Sequence, residues 1–164
     1  MSLKEKIRED LTAALKDKKE LELSVLRMLS AAISNKETEK RTKIWKTKQD
    51  LSQEDLEKES QFSDEEIFDV ISSEIKKRKE SIELFERGGR KELVEKENRE
   101  LNFLKSYLPE QLSEEQVKEI VKAAVLKTGA KEIKDMGRVM AEINPQLKGK
   151  ADMSLVSKIV KDLF

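Results

Sequence analysis

"SEEQVKEIVKAAVLKTG", residues 113–129, carries the pattern on which the fold turns. Val117, Ile120, Val121, Ala124 and Val125 recur at i, i+3, i+4, i+7 and i+8, which puts apolar side chains on one face of a helix. Ser113 and Gln116 have the capping-box form at its start, and Gly129 stands where a helix takes its C-terminal glycine. Only 5 glycines and 2 prolines interrupt 164 residues, and charged residues make up 41% against 37% hydrophobic. Such a composition favours long amphipathic helices over sheets with many turns. The pattern predicts an all-α protein.

Downstream, Asp135 is expected to cap a short helix with Met136, Val139, Met140 and Ile143 on one face. Pro145, which has no N–H to continue the ladder, is expected to end it. Asp152 then caps a last helix whose inward side is Leu155, Val156, Ile159, Val160 and Leu163. Residues 109–164 therefore read as a C-terminal three-helix domain, entered through "YLPEQLSEEQ", where Pro109 stops the preceding helix.

Upstream, residues 1–108 read as an N-terminal helical bundle. Ser2 and Glu5 form a capping box before Leu3, Ile7, Leu11 and Leu15. After a polar turn at Asp17 to Lys19, Val25, Leu29 and Ile33 share a face with Met28 and Ala32 in a helix expected to run towards Arg41. Residues 42–62 lose the periodicity and are expected to be a long exposed connection or a marginal helical extension. Another capping box at Ser63 and Glu66 opens a helix through Ile67, Ile71, Ile75, Ile82 and Phe85 to Gly88-Gly89. A fourth helix places Val94, Leu101, Leu104 and Leu108 inward.

No Cys and no His occur, which excludes disulfides, thiolate or imidazole metal sites, and Cys or His catalysis. No apolar run approaches a membrane span, and the charged start "MSLKEKIRED" does not resemble a signal peptide, so a cytoplasmic protein is expected. Net charge is zero from 34 basic and 34 acidic residues, but residues 1–50 carry +4, 51–100 carry −6 and 101–164 carry +2. A polyanion would have to meet a local basic patch. No phosphate-binding Gly-rich motif occurs, and Ser72-Ser73 beside Lys76 and Lys77 sit in a helical pattern unlike the irregular backbone of a Ser-Ser-Lys site. No cofactor or metal is expected.

Three stretches remain as candidate contact sites. "KKRK" at 76–79 points around the whole circumference of a helix, with Glu74, Glu80 and Glu83 as neutralising neighbours, so a solvated face is the expectation. "RTKIWKTK" at 41–48 holds Arg41, Lys43, Lys46 and Lys48, no acid, and Trp45, the chain's one tryptophan. That ring either stacks on a base or folds back onto an apolar groove. In "NPQLKGKAD", residues 144–152, turn-making accounts for Pro145, Gly149 and Asp152 but not for Lys148 and Lys150, which flank a glycine whose backbone a phosphate could approach. Gly137, in a first helical turn, costs up to about 1 kcal/mol relative to alanine. Close packing by a neighbouring backbone is the expected reason for it.

Together "EIKKRKESIELF", "YLPEQLSEEQ" and "DMGRVMAEINPQLKGKAD" resemble the GatB/YqeY family, as a stand-alone YqeY-like member. The resemblance implies an N-terminal four-helix bundle joined to a C-terminal three-helix bundle. It also implies kinship with the tail of the B subunit of tRNA-dependent amidotransferases, carbon-nitrogen ligases that take nitrogen from glutamine. That tail contacts tRNA, while the chemistry resides elsewhere. Gly137 and Arg138 stand at the family's Met-Gly-basic-Val-Met position, and Lys148, Gly149, Lys150 and Asp152 at its Lys-Gly-basic-Ala-Asp position. Ala141 and Met153 depart from that pattern, standing where small or glycine residues are common.

The expectation is a non-catalytic module that binds RNA, with tRNA as the expected partner, through Lys134, Arg138, Lys148 and Lys150. The alternative is a protein-interaction module docking on an amidotransferase, a synthetase or another cytosolic partner. Independent catalysis as a glutamine-dependent ligase finds no nucleophile, metal site or nucleotide site to support it.

Overall fold

The computed structural model describes residues 1–164, and the chain is helical throughout. It divides into two compact units, Met1–Tyr107 and Leu108–Phe164. No helix is long and apolar enough to cross a membrane.

The first unit holds α1 (Leu3–Lys16), α2 (Glu20–Thr47), α3 (Gln53–Ser60), α4 (Asp64–Arg87) and α5 (Lys91–Lys105). The four long helices form the bundle: α1 packs on α2, α4 on α5, and α2 bridges to both α4 and α5. Both predicted capping boxes are present, Ser2 with Glu5 and Ser63 with Glu66. The core is built from Ile7 and Ala14 of α1, Val25, Leu26, Leu29 and Ile33 of α2, Ile67, Val70, Ile71 and Ile75 of α4, and Leu101 and Leu104 of α5. Each such Val, Leu or Ile side chain contributes about 1.5–3 kcal/mol when fully buried, and Ala14 less.

Two predicted core residues of this unit are instead exposed, for a geometric reason. Leu15 is the third step of a four-residue spacing that began at Leu3. Each step overshoots a helical turn by about 40°, so Leu15 has rotated off the face and Ala14 replaces it. Met28 likewise points outward while Leu26 is buried.

Residues 42–62 are not an open connection. Helix α2 runs past Arg41 to Thr47, and α3, capped by Ser52, folds back on it. Ser60 is buried: its hydroxyl donates to the Glu57 carbonyl at 2.9 Å and accepts from Arg41 Nε at 3.2 Å. The helix is polar nearly all round, so its weak periodicity hid it.

"KKRK" keeps its helical setting in α4, but Arg78 is buried. Its Nε and Nη2 donate to Glu100 Oε2 of α5 at 3.2 and 3.0 Å, and its Nη1 to Glu74 at 3.3 Å. Tyr107 closes the unit: its hydroxyl donates to Asp10 Oδ2 at 2.6 Å and the Lys6 ammonium sits 5.5 Å from its ring centroid. Burial, then the Asp10 carboxylate, push its phenol above the ordinary tyrosine range.

The second unit holds α6 (Glu114–Thr128), a 3-10 turn (Ile133–Asp135), α7 (Met136–Leu147) and α8 (Met153–Lys161). Its core joins Val117, Val121 and Ala124 to Val139, Ile143 and Leu147 and to Val156, Ile159 and Val160. Ser113 and Gln116 make the predicted box, and Gly129 takes the left-handed C-terminal conformation at φ +65°. Leu163 lies beyond the last helix and is exposed.

Pro145 does not end α7 but lies inside its last turn. The N–H it lacks would have bonded to the carbonyl of Ala141, on the solvent side, and continuing two residues further buries Leu147. Asp152 caps α8 as expected, accepting from Ser154 N–H at 2.9 Å. Asp135 makes no side-chain cap to α7. Its carboxylate turns back instead, accepting the N–H groups of Lys131 and Glu132 at 2.9 and 3.3 Å and pairing with Arg138.

Candidate functional site

The candidate phosphate contacts of the second unit lie at the two ends of α7. Arg138 is in its first turn and Lys134 in the 3-10 turn before it, whereas Lys148 is its C-cap and Lys150 follows. Twelve residues at 1.5 Å each separate the pairs by about 18 Å. The sequence places them in one segment; the structure makes them two clusters.

At the first end, the Lys131 and Glu132 N–H groups and the Arg138 guanidinium hold the Asp135 carboxyl down at about 2. Asp135 is therefore charged and orients Arg138. Lys134 pairs with Glu132 at 2.6 Å, an exposed ion pair of the kind that contributes under about 1 kcal/mol and exchanges readily with a competing anion. Between the ends, the outer face of α7 carries Gly137, Arg138, Ala141, Asn144 and Pro145, all exposed.

Gly137 departs from its predicted reason. A Cβ built on it would meet nothing within 4 Å, so no neighbouring backbone requires a glycine there. A helix-weakening residue with open space above it leaves bare backbone beside the Arg138 guanidinium.

At the other end, Gly149 adopts φ +77°, as the turn requires, but it is buried. Gln111 Nε2 donates to its carbonyl at 2.7 Å, and Leu112 N–H to the Lys150 carbonyl at 2.8 Å. The segment before α6 thus covers the backbone that the sequence suggested was open. What remains outward is Lys150, exposed, and Lys148, half-buried. Met153 packs against the apolar core.

In the first unit, Arg41, Lys43, Trp45, Lys46 and Lys48 occupy the last two turns of α2 and its cap. Glu57 and Glu59 of α3 neutralise Arg41 and Lys48, at 3.9 and 2.8 Å. Trp45 does not fold back into a groove; it is 56% exposed. Two further exposed side chains escaped the sequence reading, Leu126 at 83% and Ile133 at 59%, both around the turn that joins α6 to α7. Leu126 sits one position past Val125 of the α6 stripe, and Ile133 lies in the 3-10 turn outside any helical stripe, so the apolar pattern gave no signal that they point outward. No group of three or more acidic side chains is placed to hold a metal ion.

The model of the YqeY-like proteins matches this chain over residues 4–48 and 44–164. The chain belongs to the YqeY-like protein family. One relative is "Altered inheritance of mitochondria protein 41, mitochondrial" of Pyrenophora tritici-repentis (strain Pt-1C-BFP). It is 29% identical over 162 residues, a match covering 96% of this chain and 78% of its own length.

Proposed function

We propose that this YqeY-like protein is a non-catalytic RNA-binding module, with tRNA as its RNA, and that the outer face of α7 is its contact surface. One observation carries the reading: Gly137 weakens α7, folding does not require it, and it leaves backbone accessible next to a cation. Polyanion backbones are bound by such combinations of bare N–H groups and guanidinium or ammonium groups. Lys134 and Arg138 at one end and Lys148 and Lys150 at the other would contact phosphates on either side of that approach. The likeness of the tail-like motifs to the B subunit of tRNA-dependent amidotransferases supports tRNA as the partner. On this reading the protein serves glutamine-dependent amide transfer by holding tRNA and performs no step itself.

A cytoplasmic location belongs to the same proposal. The name of the Pyrenophora relative associates that protein with mitochondria, so a tRNA partner would have to be met there by that relative.

Substitution at the open position tests the reading. Gly137→Leu starts its side chain in open space at an exposed helix position, so helicity should be unchanged, while affinity for bulk tRNA should fall about tenfold, or about 1.4 kcal/mol. Equal affinity in a folded variant would contradict close approach at α7.

A second reading has its own observation. Leu126 and Ile133 expose apolar surface near the first-turn cations, which suits an amidotransferase, synthetase or other protein partner. Recovery of one stoichiometric protein after nuclease treatment, lost in Leu126→Ser/Ile133→Ser, would favour it; recovery of RNA alone would reject it.

A further inference from the structure

Arg78 and Glu100 mark a boundary along the α4–α5 hairpin. On the bundle side of this pair lie the buried Ile67, Val70, Ile71 and Ile75 of α4 and the buried Leu101 and Leu104 of α5. On the turn side no residue from 79 to 99 is buried, although the stretch is helical up to Arg87 and again from Lys91. Ile82, Phe85 and Val94 are half-buried there, and Leu84 and Leu93 are 64% and 37% exposed. Polar contacts do not make up the difference. Between residues 79 and 95 no side chain makes an ion pair or a hydrogen bond, and Lys96 and Asn98 reach only Glu100 and the Val94 carbonyl of their own helix. The opposite end of α4 is tied down: Asp64 accepts the Leu3 N–H at 2.8 Å, and Glu66 accepts the Lys40 ammonium at 2.7 Å.

The helical pieces beyond the pair, 79–87 and 91–99, are each shorter than three turns, below the length at which a helix holds in water by itself. Gly88-Gly89 joins them, and Arg90 gives α5 no side-chain cap. The pair is a layer of another kind. Arg78 gives Glu100 two hydrogen bonds and Glu74 a third, so parting the helices there would strand buried charge, whereas parting them beyond it strands none. Local opening costs least where few apolar groups are buried and few partners are lost. We infer that residues 79–99 form an arm that opens while the rest of the first unit stays folded, with the Arg78–Glu100 pair closed at its base. Opening uncovers Ile82, Phe85 and Val94 without the loss of a core layer. The arm belongs to the first unit and does not rest on the tRNA reading.

Native-state hydrogen exchange of the full-length protein, read residue by residue by NMR where exchange reports the opening equilibrium, tests this. Amides of 82–87 and 95–98, all inside their helices, are expected to exchange at least about a hundredfold faster than those of 68–77 and 101–104, and with little dependence on urea. Val25→Ala trims a fully buried side chain outside the arm and should speed the core amides at least about tenfold. It should leave the arm amides at their native rate, because an arm that opens by itself does not draw on the stability of the bundle. Arg78→Ala should divide the two sets in the same way, since the pair stays closed while the arm is open. Arg78→Lys, which keeps the charge and loses the two-point contact, should do so more mildly. Arm amides that exchange no faster than the core, or that follow it in Val25→Ala, would overturn the proposal. Arm amides that speed up as much as the core in both Arg78 variants would place the pair inside the arm and overturn its role as the boundary.

Discussion

Gly137, Arg78 and Asp135 show three ways in which a single residue departs from its local pattern. Gly137 lies in a helix without needing to be glycine. Gly137→Ala should therefore stabilise the protein by about 0.5–1 kcal/mol in urea denaturation, since the methyl group enters open space. A destabilised Gly137→Ala would mean that the backbone there is constrained by something the geometry does not show. Arg78 is buried because two carboxylates surround it. Arg78→Ala should cost about 3 kcal/mol by leaving the buried Glu100 carboxylate with only the exposed Lys96 ammonium, at 3.9 Å, as its ion-pair partner, read as a lowered denaturation midpoint. Asp135 has its carboxyl held at about 2, below its unfolded value near 4, so the stability it adds is complete above pH 4. That stability is lost as pH falls towards 2. Asp135→Asn should flatten the acid side of the stability profile over that window, and an unchanged profile would mean its contacts do not form.

The elements explain which features were legible in the sequence. Capping boxes were, because Ser2 with Glu5, Ser63 with Glu66 and Ser113 with Gln116 are local chemistry that tertiary contacts do not alter. Apolar stripes were legible where the spacing alternated between three and four residues, as in α6, and failed in α1, where steps of four drifted off the face at Leu15. Helix α3 was hidden because its fixing contacts are polar. Ser60→Ala should cost about 1 kcal/mol by removing the hydroxyl that receives Arg41, measurable by denaturation. Pro145 was misread because its missing N–H faces solvent, where a lost bond is tolerated for the burial of Leu147. The candidate site fared less well than the fold. The residue types were readable, but the cover of Gln111 and Leu112 over the Gly149 turn comes from outside the motif, and so does the open space above Gly137.

For the molecule as a whole, equal numbers of basic and acidic residues mean that no global field draws in a polyanion. Any RNA affinity must come from particular cations, and its salt dependence counts them. Membership of the YqeY-like family is consistent with that role but does not set the number of contacts. The most direct measurement is therefore the binding of purified protein to bulk tRNA across a salt series, beside Lys148→Glu/Lys150→Glu and Lys134→Glu/Arg138→Glu variants of unchanged helicity. The account predicts binding that weakens steeply with salt in the native protein and is reduced in each variant. Binding that ignores salt, or that both variants retain in full, would contradict it.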